Sequence, residues 1–223
     1  MAWFSLIASD GHRFNVFEQL PVEKPKGMVI VLQEIFGVNA HIESVCRKLA
    51  AQGWLAVAPA LFDRTPGEQA LGYTAPEVEI GRAKKEQIGN HLALRDIEAV
   101  CRWGQHQGHK MAVMGFCWGG TLAWLAADRL SLDACIIYYG TQVAEHLNAI
   151  PTMPVLMHFG EADSHIPLAH VQKIASASPQ SQIHLYPAGH GFNCEMRNSF
   201  HEPSATLAAQ RTQEFLADHL CQQ

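Results

Sequence analysis

The chain has 223 residues, 48% of them apolar and 17% charged, with a net charge of −5; this is enough core material for one folded domain over residues 1–223 and excludes a disordered chain. Its 16 Lys and Arg residues are scattered, with no basic stripe for a phosphate backbone, so nucleic acid is not an expected partner. Six cysteines without a C-x-x-C pair do not make a disulfide scaffold, and no basic leader or run of roughly 20 apolar residues is present, so a cytoplasmic protein with reduced thiols and no membrane contact is expected.

Residues 3–7 and 14–17 flank Ser9-Asp10-Gly11-His12, whose Asp-Gly step favours a tight turn, so an antiparallel hairpin is predicted first. Residues 28–32 read as a buried strand. Asn39 can cap a following helix that carries Ile42, Val45, Cys46, Leu49 and Ala50 on one face and ends at Gly53. Residues 54–58 form the next strand. The Pro- and Gly-containing stretch 65–81 reads as a surface excursion that could include a lid. Leu94, Ile97, Val100 and Cys101 then place an apolar stripe on a helix ending near Gly104. Further strands are predicted at 111–114, 134–138, 155–159 and 182–186, and further helices at 119–128, 168–176 and 204–220. Short apolar runs alternating with helical segments specify an α/β fold with a mostly parallel, doubly wound sheet. Such a sheet carries its ligand site beyond the carboxyl ends of its strands.

The sharpest local signal is Gly115-Phe116-Cys117-Trp118-Gly119-Gly120, directly after one predicted strand and before a helix. This is the pattern of a nucleophile elbow, in which small residues two before and two after the central residue let it project from a strained turn. A thiol at a helix N-terminus gains thiolate character, and the Trp118 N–H is placed to receive an oxyanion. Cys46, Cys101 and Cys135, on periodic apolar faces, read instead as core residues.

A thiol nucleophile needs a base, and the base needs an orienting acid. His190, in Pro187-Ala188-Gly189-His190-Gly191-Phe192, follows the last strand, whereas most of the other twelve histidines look like surface or helix-face residues. Asp163, in Gly160-Glu161-Ala162-Asp163, follows the strand before, with Glu161 as the competing acid. The order nucleophile, acid, histidine is that of the α/β-hydrolases. In Gln33-Glu34-Ile35-Phe36-Gly37-Val38-Asn39 the Ile35 N–H is the candidate second oxyanion donor. Glu34, at the end of an apolar strand, must be ion-paired, hydrogen-bonded or protonated if buried; an arginine partner and a catalytic role are both open.

At these residues the sequence resembles the dienelactone hydrolase family, the carboxymethylenebutenolidases of the α/β-hydrolase fold, almost from end to end. The matching pieces are residues 33–39, 115–120, Tyr138-Tyr139-Gly140, 160–163 with Ile166-Pro167, and 188–192. The resemblance implies a Cys-His-Asp triad of Cys117, His190 and Asp163. It gives Glu34 the task of taking the thiol proton when substrate binds, and Ile35 and Trp118 that of holding the oxyanion. It implies no metal or organic cofactor, and a small ester or lactone as the molecule bound. Arg82, Phe36, Tyr139 and Phe192 are the candidate substrate-binding residues. Family members that act on dienelactone hold its carboxylate with two arginines, the second of them four residues beyond the histidine. Here that position is Cys194, the residue after the histidine is Gly191, and Arg197 is the nearest basic residue able to compensate.

The expectation is therefore a thiol-dependent hydrolase, as a monomer or small homo-oligomer. The alternative is a noncatalytic or redox-responsive protein of the same fold that uses Cys117 as an oxidisable thiol. A metal site is not expected: there is no H-E-x-x-H, and His165 and His170 stand five apart on a loop and a surface helix.

Overall fold

Runs of Val, Ile, Leu, Met and Ala, buried along their whole length, build the centre of one eight-stranded sheet in a computed structural model that describes residues 2–221. The hairpin β1 (Ala2–Ile7) and β2 (Arg13–Gln19) is present as expected, and β2 pairs antiparallel with β4 (Leu55–Pro59). All other pairings are parallel. They join β4, β3 (Met28–Leu32), β5 (Met111–Phe116), β6 (Ala134–Tyr138), β7 (Val155–Gly160) and β8 (Gln182–Tyr186) in that spatial order. This is the predicted α/β architecture.

Helix α1 (Ala40–Ala51) begins at its predicted cap, where the Asn39 side-chain oxygen accepts from the Ile42 N–H at 3.4 Å. Helix α3 (Trp118–Arg129) follows β5, α4 (Leu168–Ala177) precedes β8, and α5 (Glu202–Leu220) closes the chain. Among the described residues no helix is long and apolar enough to cross a membrane.

Residues 65–81 depart from the predicted surface excursion. Helix α2 starts at Ala75 and runs to His106, so the end of the expected surface excursion is its first two turns, and the helix continues past Gly104. The overlooked signal is Thr74 with Glu77: the Glu77 carboxylate turns back to accept the Thr74 N–H at 3.0 Å and the Gly72 N–H at 2.8 Å, and Pro76 is harmless in a first turn. The helix kinks at Gly89, where φ is 61° and ψ 169°, values that favour glycine. Beyond the kink Leu94, Ile97, Val100 and Cys101 are buried as the apolar stripe predicted. Before it, Val78, Arg82 and Lys85 face a cavity. At the kink itself Asn90 accepts from Trp118 Nε1 at 2.9 Å, which ties the bend to the start of α3.

Arg64 fastens the first turn to α2. Its guanidinium bridges Asp10 at 2.9 Å and the fully buried Asp96 at 2.7 Å, and its own side chain is 8% exposed. Breaking such a pair strands a buried carboxylate, a loss of about 3–5 kcal/mol. Arg64→Met is therefore expected to lower the free energy of unfolding by that amount, whereas Arg47→Met, which removes only an exposed helix pair, is expected to stay within about 0.5 kcal/mol; equilibrium urea unfolding measures both.

Candidate active site

Cys117 sits between β5 and α3 with φ 54° and ψ −113°, a strained conformation for a residue with a side chain. Its neighbours permit the turn. A Cβ on Gly115 would lie 1.9 Å from the Gly119 carbonyl oxygen, and one on Gly119 would lie 2.4 Å from that of Leu32, so only glycine fits at either place. Backbone bonds brace the strain: the Cys117 N–H donates to the Tyr138 carbonyl at 3.0 Å, and the Cys117 carbonyl accepts from Gly120 at 3.0 Å.

Cys117 is half-buried, and Cys46, Cys101 and Cys135 are buried core thiols as expected. Burial pushes the Cys101 thiol up to about 12 and those of Cys46 and Cys135 higher still.

Cys117 and His190 line the same cavity of about 230 Å³, at the carboxyl ends of the strands. His190 Nδ1 is 2.8 Å from Asp163 Oδ2. Burial works against the imidazolium, but the Cys117 sulfur and the Asp163 carboxylate outweigh it and lift His190 to about 10. Asp163 is pushed up by its own burial, yet the His190 bond prevails and holds it below the usual carboxylate value. Its other oxygen accepts the His165 N–H at 2.8 Å, so the carboxylate cannot turn freely.

Ile35 and Trp118 also line the cavity, and neither backbone N–H donates to any group among the described residues. Phe36, Arg82, Lys85, Gln142, His165 and Arg197 complete most of the wall. His165, which the sequence reading set aside, packs edge-on against His190 with ring centroids 4.8 Å apart. Its signal was available in its position two residues after Asp163.

Two proposed binding residues are corrected. Tyr139 and Phe192 are fully buried and do not line the cavity; Tyr139 supports the His190 ring from behind at 5.0 Å, and Phe192 packs on Tyr139 at 5.5 Å. They are aromatic core residues of the site's floor.

Glu34 is 2% exposed and paired: Arg197 Nη1 lies 3.2 Å from Glu34 Oε1. The guanidinium also rests over the rings of Phe36 and Tyr73. Gly191 makes room for it, since a Cβ there would meet Arg197 Nη1 at 2.5 Å. Of the two departures from the resembling pattern, Cys194 and Gly191, the second thus leaves room for Arg197, three residues beyond Cys194, to reach Glu34.

Residues 14–220 match the dienelactone hydrolase family. A carboxymethylenebutenolidase of Pseudomonas putida is 32% identical over 226 residues, which cover 96% of this chain and 94% of that protein. The carboxymethylenebutenolidase of Pseudomonas knackmussii matches to the same extent. A crystal structure from Klebsiella pneumoniae, provisionally named a dienelactone hydrolase, superposes with a TM-score of 0.84 at 30% identity, covering 98% of this chain and all of that one. The chain belongs to the dienelactone hydrolase family, within the α/β-hydrolase superfamily.

Proposed function

We propose that this enzyme hydrolyses a small ester or lactone that carries an acidic group, through an acyl-thioester on Cys117. The observation that carries the reading is the Asp163–His190 pair beside a strained Cys117 in one cavity.

Arg197 holds Glu34 in the resting protein. A substrate carboxylate entering among Arg82, Lys85 and Arg197 competes for that guanidinium, and the released Glu34 takes the Cys117 proton. The thiolate, stabilised by the His190 imidazolium, adds to the carbonyl carbon. The oxygen takes up the electron pair and is held by the Ile35 and Trp118 N–H groups. Collapse breaks the C–O bond, and the leaving alkoxide takes the His190 proton; in a lactone it stays attached to the acyl chain. Neutral His190 then removes a proton from water, whose oxygen attacks the thioester; the departing thiolate takes back the proton held by Glu34, and the carboxylate returns to Arg197. Asp163 holds the imidazole in the tautomer that serves both steps.

The cationic wall sets the expected preference. A lactone bearing a carboxylate is expected to show kcat/KM about 10–100 times that of its neutral methyl ester, the size of a charge-assisted contact worth about 1.5–3 kcal/mol. Arg82→Gln should narrow the gap mainly through KM. Equal values for the two substrates would refute the acidic-substrate reading, and hydrolysis of neither would refute the hydrolase.

A further inference from the structure

The reaction leaves unused a buried cluster beside Glu34. A ring nitrogen of His41, Cys194 Sγ and a carboxylate oxygen of Glu34 lie within 4.8 Å of one another, and all three residues are buried. His41, in the first turn of α1, has no exposed surface. Its Nδ1 is bound at 2.9 Å to Glu195 Oε2, but its Nε2 has no hydrogen-bond partner among the described residues. A buried imidazole nitrogen without a partner is uncommon and asks for a ligand.

We propose that Glu34, His41 and Cys194 bind a thiophilic divalent cation such as zinc, and that its occupancy inhibits turnover by immobilising Glu34. The cation site stands on these residues alone; the inhibition rests on the function proposed above.

One sulfur, one imidazole nitrogen and one carboxylate oxygen form a donor set suited to zinc or cobalt and poor for magnesium or calcium. A carboxylate on the far nitrogen of a metal-binding histidine, as Glu195 is on His41, fixes the ring so that the other nitrogen presents its lone pair. Coordination at about 2.0–2.3 Å needs donors roughly 3.5 Å apart, so modest side-chain movements close the set. Arg197 occupies Oε1 of Glu34 and leaves Oε2 to ligate. Burial works against the His41 imidazolium, but Cys194 and Glu195 outweigh it and raise it to about 9, so Nε2 gives its proton to solvent as the cation enters. Cys194, whose thiol points at the Tyr73 hydroxyl at 3.2 Å, gives up its proton as well, and the hydroxyl turns to donate to the thiolate. A thiolate and a carboxylate then balance the divalent charge.

Cobalt(II) titration of the Cys117→Ala protein tests the site without relying on turnover and removes the thiol that lines the catalytic cavity. One equivalent is expected to give a near-ultraviolet thiolate-to-cobalt absorption that zinc displaces. The band should vanish when Cys194→Ser is added. Glu195→Gln, a change at a partly exposed side chain, should weaken binding about 10–100-fold with the fold intact by circular dichroism. In the unmodified enzyme zinc should inhibit with the dissociation constant found in displacement, and a chelator should restore activity. Absence of the band, its survival in a folded Cys194→Ser protein, or unchanged affinity in Glu195→Gln would each overturn the site. Binding without inhibition would overturn only the role of Glu34.

Discussion

Cys117→Ala is expected to lower kcat/KM for an activated short-chain ester by at least about 10,000-fold, the scale set by removal of a nucleophile that works as one unit with its base. The fold should be unaffected, because alanine keeps the Cβ that packs against the core and only a half-buried sulfur is removed. A second readout separates loss of chemistry from loss of structure. The Cys117 sulfur is the largest influence that raises His190 to about 10 from an ordinary 6.5. A histidine raised on folding contributes stability that is complete below about pH 6.5 and is lost as the pH rises through about 10. Without the sulfur, the His190 midpoint should fall, and the alkaline loss of stability, which still begins near pH 6.5, should be smaller and end at lower pH. Imidazole titration by NMR and thermal unfolding across the pH range measure the two effects. An unchanged midpoint would mean that the sulfur and the ring do not interact.

Arg197→Met is expected to cost about 3–5 kcal/mol of stability, because it leaves the buried Glu34 carboxylate without its counter-charge. Glu34→Gln alone removes the charge that needs compensating and should cost less. The double variant should be more stable than Arg197→Met, with a coupling energy of about 1–3 kcal/mol. Activity should follow a different order. Both Glu34→Gln and the double variant should lose turnover, since neither retains a carboxylate able to take the thiol proton, even where stability has been recovered. Denaturant unfolding gives the coupling, and ester hydrolysis by the same preparations gives the contrast. Additive stabilities would mean that the pair is not a working interaction.

The local sequence made the elbow legible, because its demands are local: two glycines where any Cβ would strike backbone, a strand before and a helix after. Asp163 and His190 were legible for a related reason, since each directly follows a strand and a parallel sheet delivers such loops to one rim. The kink at Gly89 was hidden because a single glycine inside a helical pattern looks like any tolerated glycine. The start of α2 was masked by Pro76 and Gly72, which outweighed the capping pair Thr74 and Glu77.

The Glu34 cluster had no linear signature. His41 lies 154 positions from Glu195, and on an amphipathic helix it reads as a helix-face histidine, although it is fully buried. His158, buried between the Tyr186 hydroxyl and Thr212, was missed in the same way. Tyr139 and Phe192 stand behind the wall of the cavity instead of lining it, because a motif shows that an aromatic is near a loop and not which way it faces.

The central claim is that Cys117 carries the acyl group between two half-reactions. Rapid-quench mass spectrometry of the enzyme mixed with excess p-nitrophenyl acetate tests this most directly. One acetyl group should accumulate on the peptide that contains Cys117, be released by hydroxylamine, and persist longer in His190→Ala, where no base activates water. Acetyl found on a different residue, or full turnover with Cys117 unmodified at every time point, would contradict the account.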